Sequence, residues 1–141
     1  MKKPWSDLPN AQYINWVLNS LKENPELWDQ ASDEARDKAW DRALAEAAAL
    51  AGPASDPRWW PRYKVWHAAR DAAPRHWADG KSRAAAWGAL VALVAYDDCD
   101  QYLNMGYEEL KMYAVLSEKP QAILLLPMLY VQEKLNEKAL V

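Results

Sequence analysis

The chain has 141 residues, of which 51% are hydrophobic and 26% charged, enough apolar material for one buried core and too much for a mainly disordered chain. Its 25 Ala and 17 Leu stand against nine Val and Ile together and no Thr or Phe, which excludes a strand-rich domain and sets the expectation of an all-α fold. Seventeen Lys/Arg against 20 Asp/Glu give a net charge of -3, which argues against a general nucleic-acid coat.

Met1-Lys2-Lys3 is followed by no apolar signal-peptide core, so a cytoplasmic protein is expected. Pro9-Asn10 opens a first amphipathic helix in which Ile14, Val17, Leu18 and Leu21 share a face. Asn24-Pro25 reads as a cap followed by proline in a first turn, and Ser32 before Asp33-Glu34 is a second plausible start. Residues 25–51 are therefore one helix or two joined near 31. Ala35, Ala39, Trp40, Ala43, Leu44, Ala47 and Leu50 form the inward stripe of this stretch, and Gly52-Pro53 stops it. Residues 52–57 form a turn-rich loop. A further helix is predicted from about 58 or 61 to Ala73, ending before Pro74. Ala84 to Tyr96 carries no charge, the pattern of a helix covered on every side, and an apolar core helix is predicted over about 84–103. Gly106 precedes a shorter helix over Tyr107 to Leu116. Pro120 begins a last one, bent at Pro127. The whole is read as one domain, residues 1–141, a compact bundle of about five to six helices around the central one. Its longest apolar runs, Ala84–Tyr96 and Ala122–Val131, fall short of the roughly 20 residues that span a membrane.

Charge is distributed unevenly. Residues 1–57 hold six Lys/Arg and ten Asp/Glu, residues 58–83 hold seven and two, and residues 84–141 hold four and eight. The basic island coincides with an aromatic one: Arg58, Trp59, Trp60, Arg62, Tyr63, Lys64, Trp66 and His67, continuing to Arg70, Arg75, Trp77 and Arg83. On a helix Trp59, Tyr63, Trp66, His67 and Arg70 make one stripe. Aromatic faces can stack a base while Arg pairs with phosphate, so this segment is the candidate ligand site, for a nucleotide-like anion. The competing reading is internal: the rings pack a helix interface and the cations pair with the acidic flanks.

Catalytic signatures are missing. His67 and His76 stand nine apart with no HExxH, the four glycines are scattered, and Cys99 is the single cysteine among Asp97, Asp98 and Asp100. Neighbouring carboxylates raise a thiol pKa, so Cys99 is read as a small core residue. On one helix Asp97 and Asp100 share a face, where paired carboxylates can hold Mg²⁺ or move protons. The favoured reading is structural, with the acidic cluster paired to Arg70, Arg75 or Arg83 at the helix end. No cofactor or metal is expected, and no enzyme.

Ala35-Arg36-Asp37-Lys38-Ala39-Trp40-Asp41, Ala69-Arg70-Asp71-Ala72-Ala73 and Ala86-Trp87-Gly88-Ala89-Leu90 lead into an apolar helix ending in Tyr96-Asp97-Asp98-Cys99. In this the chain resembles a loose group of uncharacterised phage and prophage proteins, over residues 35 to 130. The resemblance carries no activity and no site residue. It implies a small accessory phage protein that works by stoichiometric binding to host components. The expected function is accordingly a non-enzymatic antagonist of a host defence factor, occupying a host protein surface or sequestering the anion. Asp29, Asp33, Glu34, Asp37 and Asp41 would form the contact face of a nucleic-acid mimic. The alternative is a structural homo-oligomer closed by its Trp and Ala surfaces.

Overall fold

The computed structural model describes residues 5–6, 8–35, 38–51, 68 and 81–139. Among them every regular element is helical and none is a strand, so the fold is all-α. In chain order the helices are α1 (Ala11–Glu23), α2 (Pro25–Ala35), α3 (Lys38–Ala51), α4 (Lys81–Ala95), α5 (Asp100–Leu103), α6 (Tyr107–Ser117), α7 (Pro120–Leu124) and α8 (Leu126–Ala139). Among the described residues two breaks, at 96–99 and at Leu125, fall inside stretches with continuous apolar periodicity.

The N-terminal half follows the helix signals closely. α1 buries Ile14, Val17 and Leu21, with Leu18 half-buried at the edge of the same face. It stops at Asn24, whose N–H donates to the Ser20 carbonyl at 2.7 Å, and Pro25 takes the first position of α2, where its missing N–H costs nothing. Ser32 starts no helix: it is buried within α2. α2 is described to Ala35 and α3 from Lys38; residues 36–37 lie outside the described residues. α3 then points Trp40, Ala43 and Ala47 inward, with Ala39 and Leu44 half-buried.

α4 is the centre. From Ala85 to Ala95 every side chain is buried except the half-buried Trp87, and the helix packs against α1, α2, α3, α7 and α8. A helix without a polar face can be stable in water only when covered in this way. It is shorter than the predicted 84–103. The last α-type bond runs from the Tyr96 N–H to the Ala92 carbonyl at 3.0 Å, residues 96–99 leave the helix, and α5 is a separate turn. The physical reason is electrostatic, since three carboxylates on the last turns of one helix would face its negative end, whereas the break puts Asp100 in the first turn of α5, at the favourable end.

Gly106 is extended (φ −76°, ψ 162°) and starts α6, whose first N–H, that of Tyr107, donates to the Glu133 carboxylate of α8 at 2.8 Å. α6 ends on Glu118 in the left-handed region (φ 55°), and Lys119-Pro120 turns the chain into α7. The predicted bend at Pro127 is a break at Leu125. The proline ring would collide with the Ile123 carbonyl of a continuous helix, so the chain interrupts α7 first and Pro127 falls in the first turn of α8.

One cluster of buried side chains extends from Trp5 to Val131. Tryptophan supplies much of its volume: Trp5, Trp28 and Trp40 are buried, and Trp16 tilts against Trp28 with ring centroids 6.3 Å apart. The Trp5 indole N–H donates to Asn15 Oδ1 at 2.8 Å and that of Trp28 to Ser20 Oγ at 3.1 Å. Part of the tryptophan excess is therefore core. No described helix is long and apolar enough to cross a membrane.

Candidate functional site

The basic aromatic residues Arg58, Trp59, Trp60, Arg62, Tyr63, Lys64, Trp66, His67, Arg70, Arg75 and Trp77 lie outside the described residues, as do the 52–57 loop and Asp37. Arg83 belongs to the first turn of α4, and its side chain also lies outside them. Of the acidic face proposed for nucleic-acid mimicry, Asp29, Asp33 and Glu34 are exposed on α2. Asp41 is exposed on α3.

The 97–100 junction is a structural joint. Asp98 accepts from Gln121 Nε2 at 3.1 and 3.3 Å and from Gln101 Nε2 at 3.3 Å, which ties the end of α4 to α7. Asp100 accepts from the Tyr13 hydroxyl of α1, and that bond, ahead of burial, pushes the Tyr13 pKa up. These donors are amide and hydroxyl groups; the arginines expected from the sequence, Arg70, Arg75 and the Arg83 side chain, lie outside the described residues. Asp97 and Asp100 do not share a helix face, since only Asp100 is helical. Cys99 is buried beneath them, its thiol directed at the Ala92 and Tyr96 carbonyls at 3.5 and 3.6 Å. Burial first, and then the Asp98 and Asp97 charges, push that thiol up to about 12, so it stays protonated at neutral pH. Among the described residues no group of three or more His, Cys, Asp or Glu side chains is placed to hold a metal ion.

Asn10 completes the joint from the other side. Its buried amide donates to the Leu93 carbonyl at 3.0 Å and the Tyr96 carbonyl at 2.6 Å, satisfying acceptors that the end of α4 leaves open. The sequence marks Asn10 only as the opening of α1; its partners lie more than 80 residues away.

A second feature has no counterpart in the sequence analysis. Between α3 and α6 runs a groove of about 360 Å³, reached also by α2, α7 and α8. Ala39, Ala43, Ala114, Ile123 and Leu126 give it an apolar floor, and Glu34, Arg42, Glu46, Lys111 and Glu118 stand at its rim. Among the described residues no ion pair joins these rim cations to these rim carboxylates. Tyr107 closes one end, its hydroxyl pushed up to about 12 by burial and then by the Glu34 and Glu108 charges. On the outer side the groove continues into Val115, which with Met112 and Leu116 forms an exposed apolar ridge, 68–80% accessible.

The ridge exists because α6 is apolar on two faces. Tyr107, Leu110 and Ala114 are spent on packing against α7 and α8, and Met112, Val115 and Leu116 sit at the i, i+3, i+4 positions of the opposite face. That second triplet was the available signal in the sequence. Chemically the arrangement suits burial of a partner's apolar surface; it brings no nucleophile and base together. Comparison with protein-family models, curated proteins and solved structures finds no match in any of the three.

Proposed function

We propose that the chain is a non-catalytic binding protein, phage-encoded as its resemblance implies, that antagonises a host factor by occupying a protein surface. The docking face in this reading is the exposed ridge of α6, which Val115 joins to the edge of the α3–α6 groove. One observation carries it: three large apolar side chains that share a face, exposed beside an apolar-floored cavity. Single exposed apolar residues are ordinary, but a contiguous set rimmed by charge marks an interaction surface. Full burial of each of the three against a partner is worth about 1.5–3 kcal/mol.

The test is a quantitative pull-down from bacterial lysate with the wild-type chain, a Leu116→Glu variant and a Lys138→Glu control on the far tail. Both sites are exposed, so both variants keep the fold to within about 0.5 kcal/mol. A host protein retained in stoichiometric amount by wild type and control, and lost by Leu116→Glu, is the expected result. Equal retention by all three refutes the assigned face. Native mass spectrometry of the same samples reads the competing homo-oligomer directly. A nucleotide panel in that measurement reads the sequestration version, which depends on Arg62 and Arg70.

A further inference from the structure

The exposed face of α6 is ordered about its own middle. Met112 and Leu116 stand two residues before and two after Ala114, exposed on the face opposite the buried Tyr107, Leu110 and Ala114. The charges beside them change sign about the same point. On one flank are Glu109 and Lys119, both exposed, five residues before and five after Ala114. Glu109 is one helical turn from Tyr113 and on its side of α6; Lys119, past the helix end, is drawn to that side over the Tyr113 ring, 5.9 Å from its centroid. On the other flank, along the groove, Lys111 and Glu118 stand three residues before and four after Ala114. Glu108 has no counterpart, since the corresponding position after Ala114 is Pro120.

A two-fold axis at the level of Ala114 sets the α6 of a second copy antiparallel to the first and keeps each flank on its own side. Met112 then meets Leu116 of the second copy, Glu109 meets Lys119, and Lys111 meets Glu118 to within one residue, a step of about 1.5 Å. Val115 comes opposite the half-buried Tyr113. The two-fold makes each of these pairs twice, whereas parallel helices would set Glu109 on Glu109 and Lys119 on Lys119. A patch that complements itself under rotation is what contact between two copies requires, and a foreign partner requires no such order along the helix. One helix of 11 residues makes a small contact, in the range of transient interfaces and not of obligate ones.

We infer that the free chain pairs with a second copy of itself through the Met112, Val115 and Leu116 ridge, α6 antiparallel to α6. The pairing covers the face given above to a host protein, so the two complexes exclude each other; in this exclusion, though not in the pairing, the inference rests on that reading. Sedimentation velocity of the full chain over a dilution series tests it. Wild type is expected to associate reversibly to a dimer, and Leu116→Glu to remain monomeric. Glu109→Lys and Lys119→Glu each place like charges together twice and are expected to weaken the dimer about tenfold. An equimolar mixture of these two variants, and the double variant Glu109→Lys/Lys119→Glu, are expected to recover it, because both restore opposite charges at every contact. Wild type that stays monomeric throughout overturns the inference and leaves the docking face to the host protein. A dimer that Leu116→Glu does not dissolve overturns it in favour of another surface, and a ridge-dependent dimer indifferent to the charge reversals overturns the antiparallel pairing. Lysate capture read on the same variants keeps the two readings apart: a dimer without any host protein lost on Leu116→Glu refutes the docking reading and leaves the pairing, and a host protein that binds the intact dimer overturns the exclusion.

Discussion

Replacing Gly88 by alanine puts one methyl group into the tightest contact of the core. A Cβ built at residue 88 meets the six-membered ring of Trp40, overlapping Cζ2 outright and lying 3.0 Å from Cε2 and 3.2 Å from Cη2. Trp40 is 1% exposed and rigid beyond its two side-chain torsions, so the indole cannot yield by bending an outer atom into solvent. Overpacking of this kind costs roughly 1–3 kcal/mol, and an overlap with a ring atom belongs at the upper end. Against it stands the gain of alanine over glycine inside a helix, about 1 kcal/mol. The net expectation is a loss of about 2 kcal/mol, or about 8 °C in Tm at roughly 4 °C per kcal/mol for a chain of this size. Urea denaturation followed by circular dichroism and by tryptophan fluorescence measures it. The decisive comparison repeats Gly88→Ala in a Trp40→Leu background, where the methyl group has room and only the helix gain of up to about 1 kcal/mol should remain. If Gly88→Ala stabilises the wild-type background as much as the Trp40→Leu one, Trp40 moves aside at no cost and the contact does not explain the glycine.

Asn10→Ala leaves the Leu93 and Tyr96 carbonyls without their side-chain donor and should cost about 1–3 kcal/mol by chemical denaturation. Asn10→Asp should be worse, because a carboxylate neither donates nor suits the negative end of α4. The Cys99 thiol, raised from its ordinary 9.0 to about 12, keeps in the native state a proton that the unfolded chain releases over that window. Stability from this group is therefore constant below pH 9 and falls between pH 9 and 12, by up to about 1.4 kcal/mol per pH unit, and Cys99→Ala should flatten that part of the profile. Iodoacetamide at pH 8 should leave Cys99 unlabelled in the folded protein and modify it in urea, as read by intact mass; rapid native labelling would contradict the burial. Glu118→Gly relieves a side chain held at φ 55° and should raise Tm by the equivalent of about 1 kcal/mol, whereas Glu118→Val should lower it.

Periodicity and punctuation made the all-α class and most helix positions legible. Ile14, Val17 and Leu21 fall on one face whatever they pack against, Asn24-Pro25 and Lys119-Pro120 restrict the backbone locally, and an uncharged Ala84–Tyr96 has to be buried. These are properties of short stretches, so the sequence by itself determined them. The breaks at residues 96–99 and at Leu125 were less legible, since the apolar pattern runs on through both and the interruption depends on where Asp97, Asp98 and Pro127 would otherwise be forced to lie. Asn10 reads as a local helix start, yet its amide serves carbonyls brought to it only by the packing of α1 on α4. The same holds for α6: Leu110 and Met112 are both apolar, two residues apart, and nothing in their order says which one faces inward. Tertiary structure decided that, because α7 and α8 cover the Leu110 face and leave Met112, Val115 and Leu116 beside a groove whose opposite wall comes from α3, more than 60 residues earlier.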